Sequence, residues 1–348
     1  MLSEVVFRLD AGKKVGLGHL SRCISLADEF VSDYDIRFII RTDDQNFIQS
    51  VVENKGLSGV YRNFLFIDDY TSIKEELDTI INEISEDSLL IIDHYLADKE
   101  YQLYLRDHNV RWLQFDSHAK NELYGDFVLH ASPGATSELY QPLIKNDNAT
   151  AFLGTKYVMI NEIFSKMREL AKPRQSIKNI FMSFGGGDDQ GAILKCIHFL
   201  DYKTLGNVKL KIFTSDKNPS LQEISKEVKN IEQVELIVNC NEIANEMLIS
   251  DLAILSPGTL SYEAACMGLP MLIITTADNQ YINANGWDKL KCGINLGHVN
   301  NFNKNDLNTE IQNLINNPNI LNDMSLNCLE SVDGKGPKRV TKIIKSKL

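Results

Sequence analysis

Four short segments of this 348-residue chain group side chains whose types and spacing could do chemistry. The first runs Arg8-Leu9-Asp10-Ala11-Gly12-Lys13-Lys14-Val15-Gly16-Leu17-Gly18-His19-Leu20-Ser21-Arg22. Its glycines allow close approach of the backbone to a ligand, and the helix that follows offers unpaired N–H groups. It is not a dinucleotide fingerprint, because Ser21 stands where a third glycine is required, and the chain contains no Gly-Lys-Ser/Thr phosphate loop. His19 falls in the first turn of the helix. The positive end of the helix disfavours an imidazolium, which leaves His19 available as a neutral general base; a capping or packing histidine is the plainer alternative.

The second segment is Asp93-His94-Tyr95, set directly after an apolar strand so that its polar groups face a cleft; helix capping is the alternative, and is the preferred role for the nearby Asp98. The third, Ser183-Phe184-Gly185-Gly186-Gly187-Asp188-Asp189, is a strand running into a glycine turn, suited to a tight bend or to a phosphate or sugar close to the backbone. The fourth, Ser256-Pro257-Gly258-Thr259-Leu260-Ser261-Tyr262-Glu263, is the most informative. A Gly-Thr turn at a helix start binds a diphosphate through N–H groups and the dipole, and Glu263, one turn further on, can take a ribose diol with both oxygens. Gly268-Leu269-Pro270 ends that helix.

The elements that must position these segments alternate. Strands are expected at Val5–Leu9, Ile36–Ile40, Phe64–Ile67, Leu89–Ile92, Arg111–Phe115 and Phe127–Leu129, and again at Ile180–Phe184, Val208–Phe213, Val234–Val238, Leu252–Leu255 and Met271–Ile274. Helical spacing lies between them, as in residues 18–31 with Leu20, Cys23, Ile24, Ala27 and Phe30 on one face, and in residues 72–84. Such alternation implies parallel sheets covered by helices on both faces, with ligands beyond the carboxyl ends of the strands. The charged, proline-containing stretch near Phe164–Ser176 interrupts the rhythm and marks a domain boundary. The expected division is an N-terminal Rossmann-like domain over 1–168, a C-terminal one over 175–330, and a final helix, 331–348, packing back on the first. The Asn-rich tail from about residue 299 reads as helical.

Composition narrows the partners. With 36 Lys+Arg against 47 Asp+Glu the net charge is −11, which argues against a nucleic-acid partner. No apolar run approaches the roughly 18 residues needed to span a bilayer, and the start of the sequence lacks a secretory pattern, so a cytoplasmic protein without membrane partners is expected. Cys23, Cys196, Cys240, Cys266, Cys292 and Cys328 are scattered and read as buried thiols, neither a disulfide framework nor a metal site. His108, His198 and His298 show no ligand spacing; His118 and His130 could approach the cleft.

Taken in order, Arg8-x-Asp10, Val15-Gly16-x-Gly18-His19-x-x-Arg22, Ile92-Asp93-His94-Tyr95, the Phe184-Gly185-Gly186 turn and the Gly-Thr…Glu263 helix resemble the nucleotide-sugar hydrolases of pseudaminic acid biosynthesis. Those enzymes release UDP from UDP-2,4-diacetamido-2,4,6-trideoxy-β-L-altropyranose. The resemblance covers roughly residues 4–298, with the N-terminal loop its most specific part. It implies an α/β chain of two Rossmann-like domains facing a central cleft, the glycosyltransferase-B fold shared with the transferase that makes lipid II. It implies that His19 activates water for attack at the anomeric carbon, with C–O cleavage and inversion. It also implies that Gly258, Thr259 and Leu260 hold the diphosphate with Ser256, Gly185 and Gly186 nearby, that Glu263 holds the ribose, and that Asp10, Gly18, Arg22 and Tyr95 line the sugar side. Asn279-Gln280 resembles the family's Asn-Gln stretch over the sugar. No metal and no cofactor are implied, a helix N-terminus taking the place of a divalent ion.

Departures from the family pattern fall in two loops on the sugar side and in the turn after the strand Leu252–Leu255. Phe115-Asp116-Ser117-His118 stands where paired aspartates are usual, Leu129-His130-Ala131 where the strand commonly ends in asparagine, and Pro257 where the turn usually has a small residue. The expected function is a UDP-releasing nucleotide-sugar hydrolase. A glycosyltransferase of the same fold, passing the sugar to a hydroxyl, is the alternative. A non-catalytic nucleotide-sugar binder is a third reading, disfavoured by the presence of Asp10, His19 and Arg22 together.

Overall fold

A computed structural model describes residues 2–54 and 63–348. The chain divides into two compact units, one of residues 1–131, 135–161 and 335–348 and the other of 132–134 and 162–334.

The first unit is built on seven parallel strands: β1 (Glu4–Asp10), β2 (Asp35–Thr42), β3 (Asn63–Asp68), β4 (Ser88–Asp93), β5 (Arg111–Phe115), β6 (Phe127–His130) and β7 (Thr150–Leu153), in the order β3-β2-β1-β4-β5-β6-β7. Side chains alternate across the sheet. Val5, Phe7 and Leu9 therefore pack on one face, against Leu20, Cys23 and Leu26 of the helix Gly18–Ala27 and Val340 and Ile344 of the helix Gly336–Lys345. Val6, Leu90 and Ile92 pack on the other face, against Leu77 and Ile80 of the helix Ile73–Glu83 and Tyr101 and Leu105 of the helix Lys99–Asp107. Ser72 and Glu75 form a capping box at the start of one of these helices, and Asp98 caps the other by accepting from the N–H of Tyr101, the role expected of it.

Arg8 shares the second face and is wholly buried in the central strand. A buried guanidinium must be paired. Glu76 takes it bidentately, at 2.8 and 2.7 Å, and Asp10 accepts from Nη1 at 2.7 Å. Arg41 and the Tyr101 hydroxyl complete the shell of Glu76.

The second unit repeats the plan with six parallel strands: β8 (Asn179–Ser183), β9 (Lys209–Thr214), β10 (Val234–Val238), β11 (Leu252–Leu255), β12 (Met271–Thr275) and β13 (Gly293–His298), in the order β10-β9-β8-β11-β12-β13. Ile180, Met182, Ile212, Ile254 and Leu272 pack beneath the helices Ala192–Phe199 and Lys304–Asn316. The Asn-rich tail is mostly helical, in three segments, Lys304–Asn316, Pro318–Ser331 and Gly336–Lys345.

All eleven expected strands are present, with ends displaced by at most two residues, and β7 and β13 are additional. Both are edge strands, which bury fewer side chains and carry a weaker apolar signal. The helix expected over 18–31 is shorter, because the chain leaves the α-helical pattern at Asp28 and turns through 3-residue bonds such as Glu29 N–H to Leu26 O. All six cysteines are free thiols; five are buried and Cys240 is half-buried. Among the described residues no helix is long and apolar enough to cross a membrane.

Candidate active site

In each unit the strand order reverses once, between β1 and β4 in the first and between β8 and β11 in the second. At such a point neighbouring loops diverge and leave a crevice at the carboxyl ends of the strands. The four chemistry-bearing segments are the loops that follow these four strands.

In the first unit, the loop after β1 ends at Gly18, the first residue of its helix, and His19 follows, only 7% exposed. The Nδ1 of His19 lies 2.8 Å from the Asp93 carbonyl oxygen and 3.0 Å from Asp93 Oδ1, at the end of β4. Both neighbours are acceptors, so the proton sits on Nδ1 and the basic lone pair is on Nε2. Asp93 is a carboxylate: burial opposes its charge, but the Arg22 guanidinium, forked onto both of its oxygens, holds it well below the usual carboxylate range. The Cys23 thiol adds a contact at 3.6 Å. The Tyr95 ring stands edge-on to His19 at 5.1 Å and lies parallel to the His118 ring at 5.1 Å. Arg22 also stacks over Phe115, 5.2 Å from the ring centre.

Asp93 is thus neither a helix cap nor a bystander; it orients the histidine. Asp10 is nearly buried, one oxygen given to Arg8. Space beside Gly18 is open, as a Cβ added there would meet nothing within 4 Å.

Next to this constellation, in the same unit, is a pocket lined by Arg22, Asp93, His94, Tyr95, Gln114 and Asp116 among others. Asp116 accepts from the Tyr140 hydroxyl, which also reaches His130 Nδ1. Burial pushes the His130 imidazole down to about 4, so the ring is neutral near pH 7. This Asp116–Tyr140–His130 chain escaped the sequence reading, as did Gln114. Tyr140 lies in a four-residue helix with no motif around it.

In the second unit, Gly185 bends the loop after β8 with φ +97°, a left-handed conformation that favours glycine, and the Gly186 carbonyl accepts from Ser215. After β11, Gly258 precedes the helix Thr259–Cys266. Thr259 and Leu260 occupy its first turn, where amides lack intrahelical acceptors and point toward the incoming loop. A Cβ added at Gly258 would meet nothing within 4 Å. Burial pushes the Glu263 carboxyl up to about 7.

Ser256 is buried, and the turn is tied down by Asn283, which donates to the Pro257 carbonyl at 2.9 Å and accepts from Ser132. Nothing in the sequence singled out Asn283. Of the Asn279-Gln280 pair, Asn279 is exposed, whereas Gln280 folds back to accept from the Thr276 N–H at 2.8 Å.

Two sheets of this order and parallel direction define the glycosyltransferase-B fold. The solved structures agree. A crystal structure of Acinetobacter baumannii MurG matches 99% of this chain and 99% of its own with a TM-score of 0.68 at 13% identity. That of Neisseria meningitidis UDP-GlcNAc 2-epimerase, bound to UDP-GlcNAc, matches 98% and 100% with a TM-score of 0.65 at 11% identity.

No family model matches the chain. Among curated proteins, the UDP-2,4-diacetamido-2,4,6-trideoxy-β-L-altropyranose hydrolase of Campylobacter jejuni is 25% identical over 280 residues, covering 80% of this chain and 93% of the relative. The resemblance read from the motifs is therefore borne out. The spore coat polysaccharide biosynthesis protein SpsG of Bacillus subtilis is 21% identical over 291 residues, 83% of this chain and 82% of the relative. An uncharacterized protein of Methanocaldococcus jannaschii, MJ1062, is 23% identical over 78% of this chain, which spans 55% of that relative's length. The likeness to the solved structures is one of fold, and that to the curated relatives extends over 78–83% of this chain.

Proposed function

We propose that the chain is a nucleotide-sugar hydrolase that releases UDP from UDP-2,4-diacetamido-2,4,6-trideoxy-β-L-altropyranose or a close relative, without a metal ion or cofactor. The observation that carries this reading is the His19–Asp93 pair, which fixes the proton on Nδ1 and leaves Nε2 as a base. His19 Nε2 takes a proton from water, the water oxygen bonds to the anomeric carbon with inversion, and the bond from that carbon to the β-phosphate oxygen breaks. UDP leaves with the electron pair.

In this reading the second unit holds the nucleotide. The N–H groups at Gly258, Thr259 and Leu260 take the charge of the diphosphate, Ser256, Gly185 and Gly186 border it, and Glu263 takes the ribose. The first unit holds the sugar, with Asp10, Gly18, Arg22 and Tyr95 around it; in the second unit Asn279 and Gln280 are the further residues assigned to substrate.

The test is a panel of UDP-sugars incubated with the purified protein, with free UDP measured in the presence and absence of acceptor sugars. UDP release in water alone, greatest for the diacetamido sugar, is the expected result. Release that requires an added hydroxyl acceptor overturns the hydrolase and establishes a transferase.

A further inference from the structure

Two residues that line the pocket of the first unit each keep a buried polar atom with no hydrogen-bond partner among the described residues: His94 Nε2 and Gln114 Oε1. The residues are 5% and 4% exposed. Neither has a role in the chemistry set out above. Buried polar groups are nearly always paired, so two unpaired ones lining a single pocket call for an explanation.

Their chemistry is complementary. His94 Nδ1 accepts from the Leu96 N–H at 3.1 Å, which places the ring proton on Nε2 and makes that atom a donor. Burial, and after it the Arg8 charge, holds the ring neutral by pushing its pKa well below the ordinary range. Gln114 Oε1 is an acceptor. The two side chains come from neighbouring strand ends, since β4 pairs with β5 at Ile92 and Gln114. Ala97, Phe115 and Leu123 supply an apolar stretch of a lining that is otherwise polar, with Asp93, Asp116, Ser117 and Asn121 among its other residues.

One donor and one acceptor beside an apolar stretch match a secondary amide that carries a methyl group. A carboxylate would leave the Gln114 oxygen facing an anion, and an ammonium would leave the His94 donor unused. A hydroxyl could satisfy both groups but would leave the apolar stretch against water.

We propose that His94 and Gln114 form an acetamido subsite, in which the amide carbonyl of a sugar substituent accepts from His94 Nε2–H and its N–H donates to Gln114 Oε1. This rests on the reading that the first unit holds the sugar of a UDP-sugar. It adds which substituent is recognised, and by what.

The experiment measures binding in the His19→Ala background, where the intact sugar nucleotide persists, by titration calorimetry. Two pairs of ligands are compared: UDP-GlcNAc with UDP-glucose, and the diacetamido sugar nucleotide with its 4-hydroxy analogue. The acetamido member of at least one pair binds at least 10-fold more tightly. Gln114→Leu and His94→Phe each reduce that preference to within about 3-fold, with unchanged affinity for UDP alone and an unchanged circular dichroism spectrum. Two variants at different positions guard against a single misfolded one. Hydrolysis by the His19 enzyme is followed in parallel. Turnover with a preference that survives both substitutions overturns the subsite and leaves the hydrolase standing. A preference lost in both variants without turnover by the His19 enzyme supports the subsite and overturns the hydrolase. Equal affinity for both members of both pairs overturns the subsite.

Discussion

His19 and Asp93 are joined twice, Nδ1 lying 2.8 Å from the carbonyl oxygen and 3.0 Å from Oδ1, although 74 residues separate them in the chain. The pairing exists because β1 and β4 are neighbours in the sheet, so the loops that leave them start side by side. It converts a histidine of undefined tautomer into one with a defined base. His19→Ala removes that base and lowers kcat about 10²–10⁴-fold, the usual yield of general base catalysis. UDP affinity, measured by calorimetry, stays within about 2-fold.

Asp93→Asn keeps the shape and removes the charge. The variant loses the fixed tautomer of His19 and leaves Arg22 without its counter-charge, so kcat drops at least about 100-fold and stability at pH 7 falls by about 2–4 kcal/mol. The sign with pH follows from the direction of the shift. A carboxyl held lower in the folded than in the unfolded state stabilises above the unfolded value of about 3.9, and that contribution fades as pH falls below it. Denaturant unfolding at pH 7 and pH 3.5 therefore shows a smaller gap between wild type and variant at the lower pH.

Glu263 behaves in the opposite sense. Its folded value of about 7 lies above the unfolded value of about 4.3. Its stabilising contribution is fully present below about pH 4 and is lost as pH rises through 7. Relative to Glu263→Gln, the wild type should lose on the order of 2–3 kcal/mol between pH 4 and pH 8 in unfolding experiments. Binding runs the other way, because a diol is held best by the carboxylate. Wild-type affinity for UDP rises with pH through 7, and that of the variant is weaker and flat.

Gly258→Val separates folding from binding. The backbone there, at φ −87°, lies outside the left-handed region that favours glycine, and a Cβ added there meets no atom within 4 Å. The melting temperature should move by no more than a few degrees, while UDP affinity falls at least 10-fold as the isopropyl group fills the space proposed for the diphosphate.

Much of this was legible because the elements and the chemistry share one rule. Apolar β-branched runs such as Leu89–Ile92 are buried on both faces and can be read as central strands, and a polar group directly after such a run lies at the carboxyl end of the sheet, where ligands bind. β7 and β13 were not legible, for the converse reason. Thr150–Leu153 buries only Phe152, and Gly293–His298 carries glycines and polar residues along an edge. Arg174 shows the same limit within the charged 166–176 stretch. It is 7% exposed, donating to the carbonyls of Ser250, Met247, Leu248 and Met267, and no local pattern announces a buried cation.

The sequence by itself determined two α/β halves, the four loops that carry the candidate functional side chains, and the residue types in them. Those follow from periodicity and turn chemistry, which are local. Only the tertiary structure decided which of those groups meet. It set Asp93 against His19 and Arg22, tied Asn283 to the Pro257 turn, linked Asp116 through Tyr140 to His130, and left His94 and Gln114 buried with an atom each to spare. Each of those contacts joins residues on different strands or helices, and strand order and register, which set such distances, are written in no single segment.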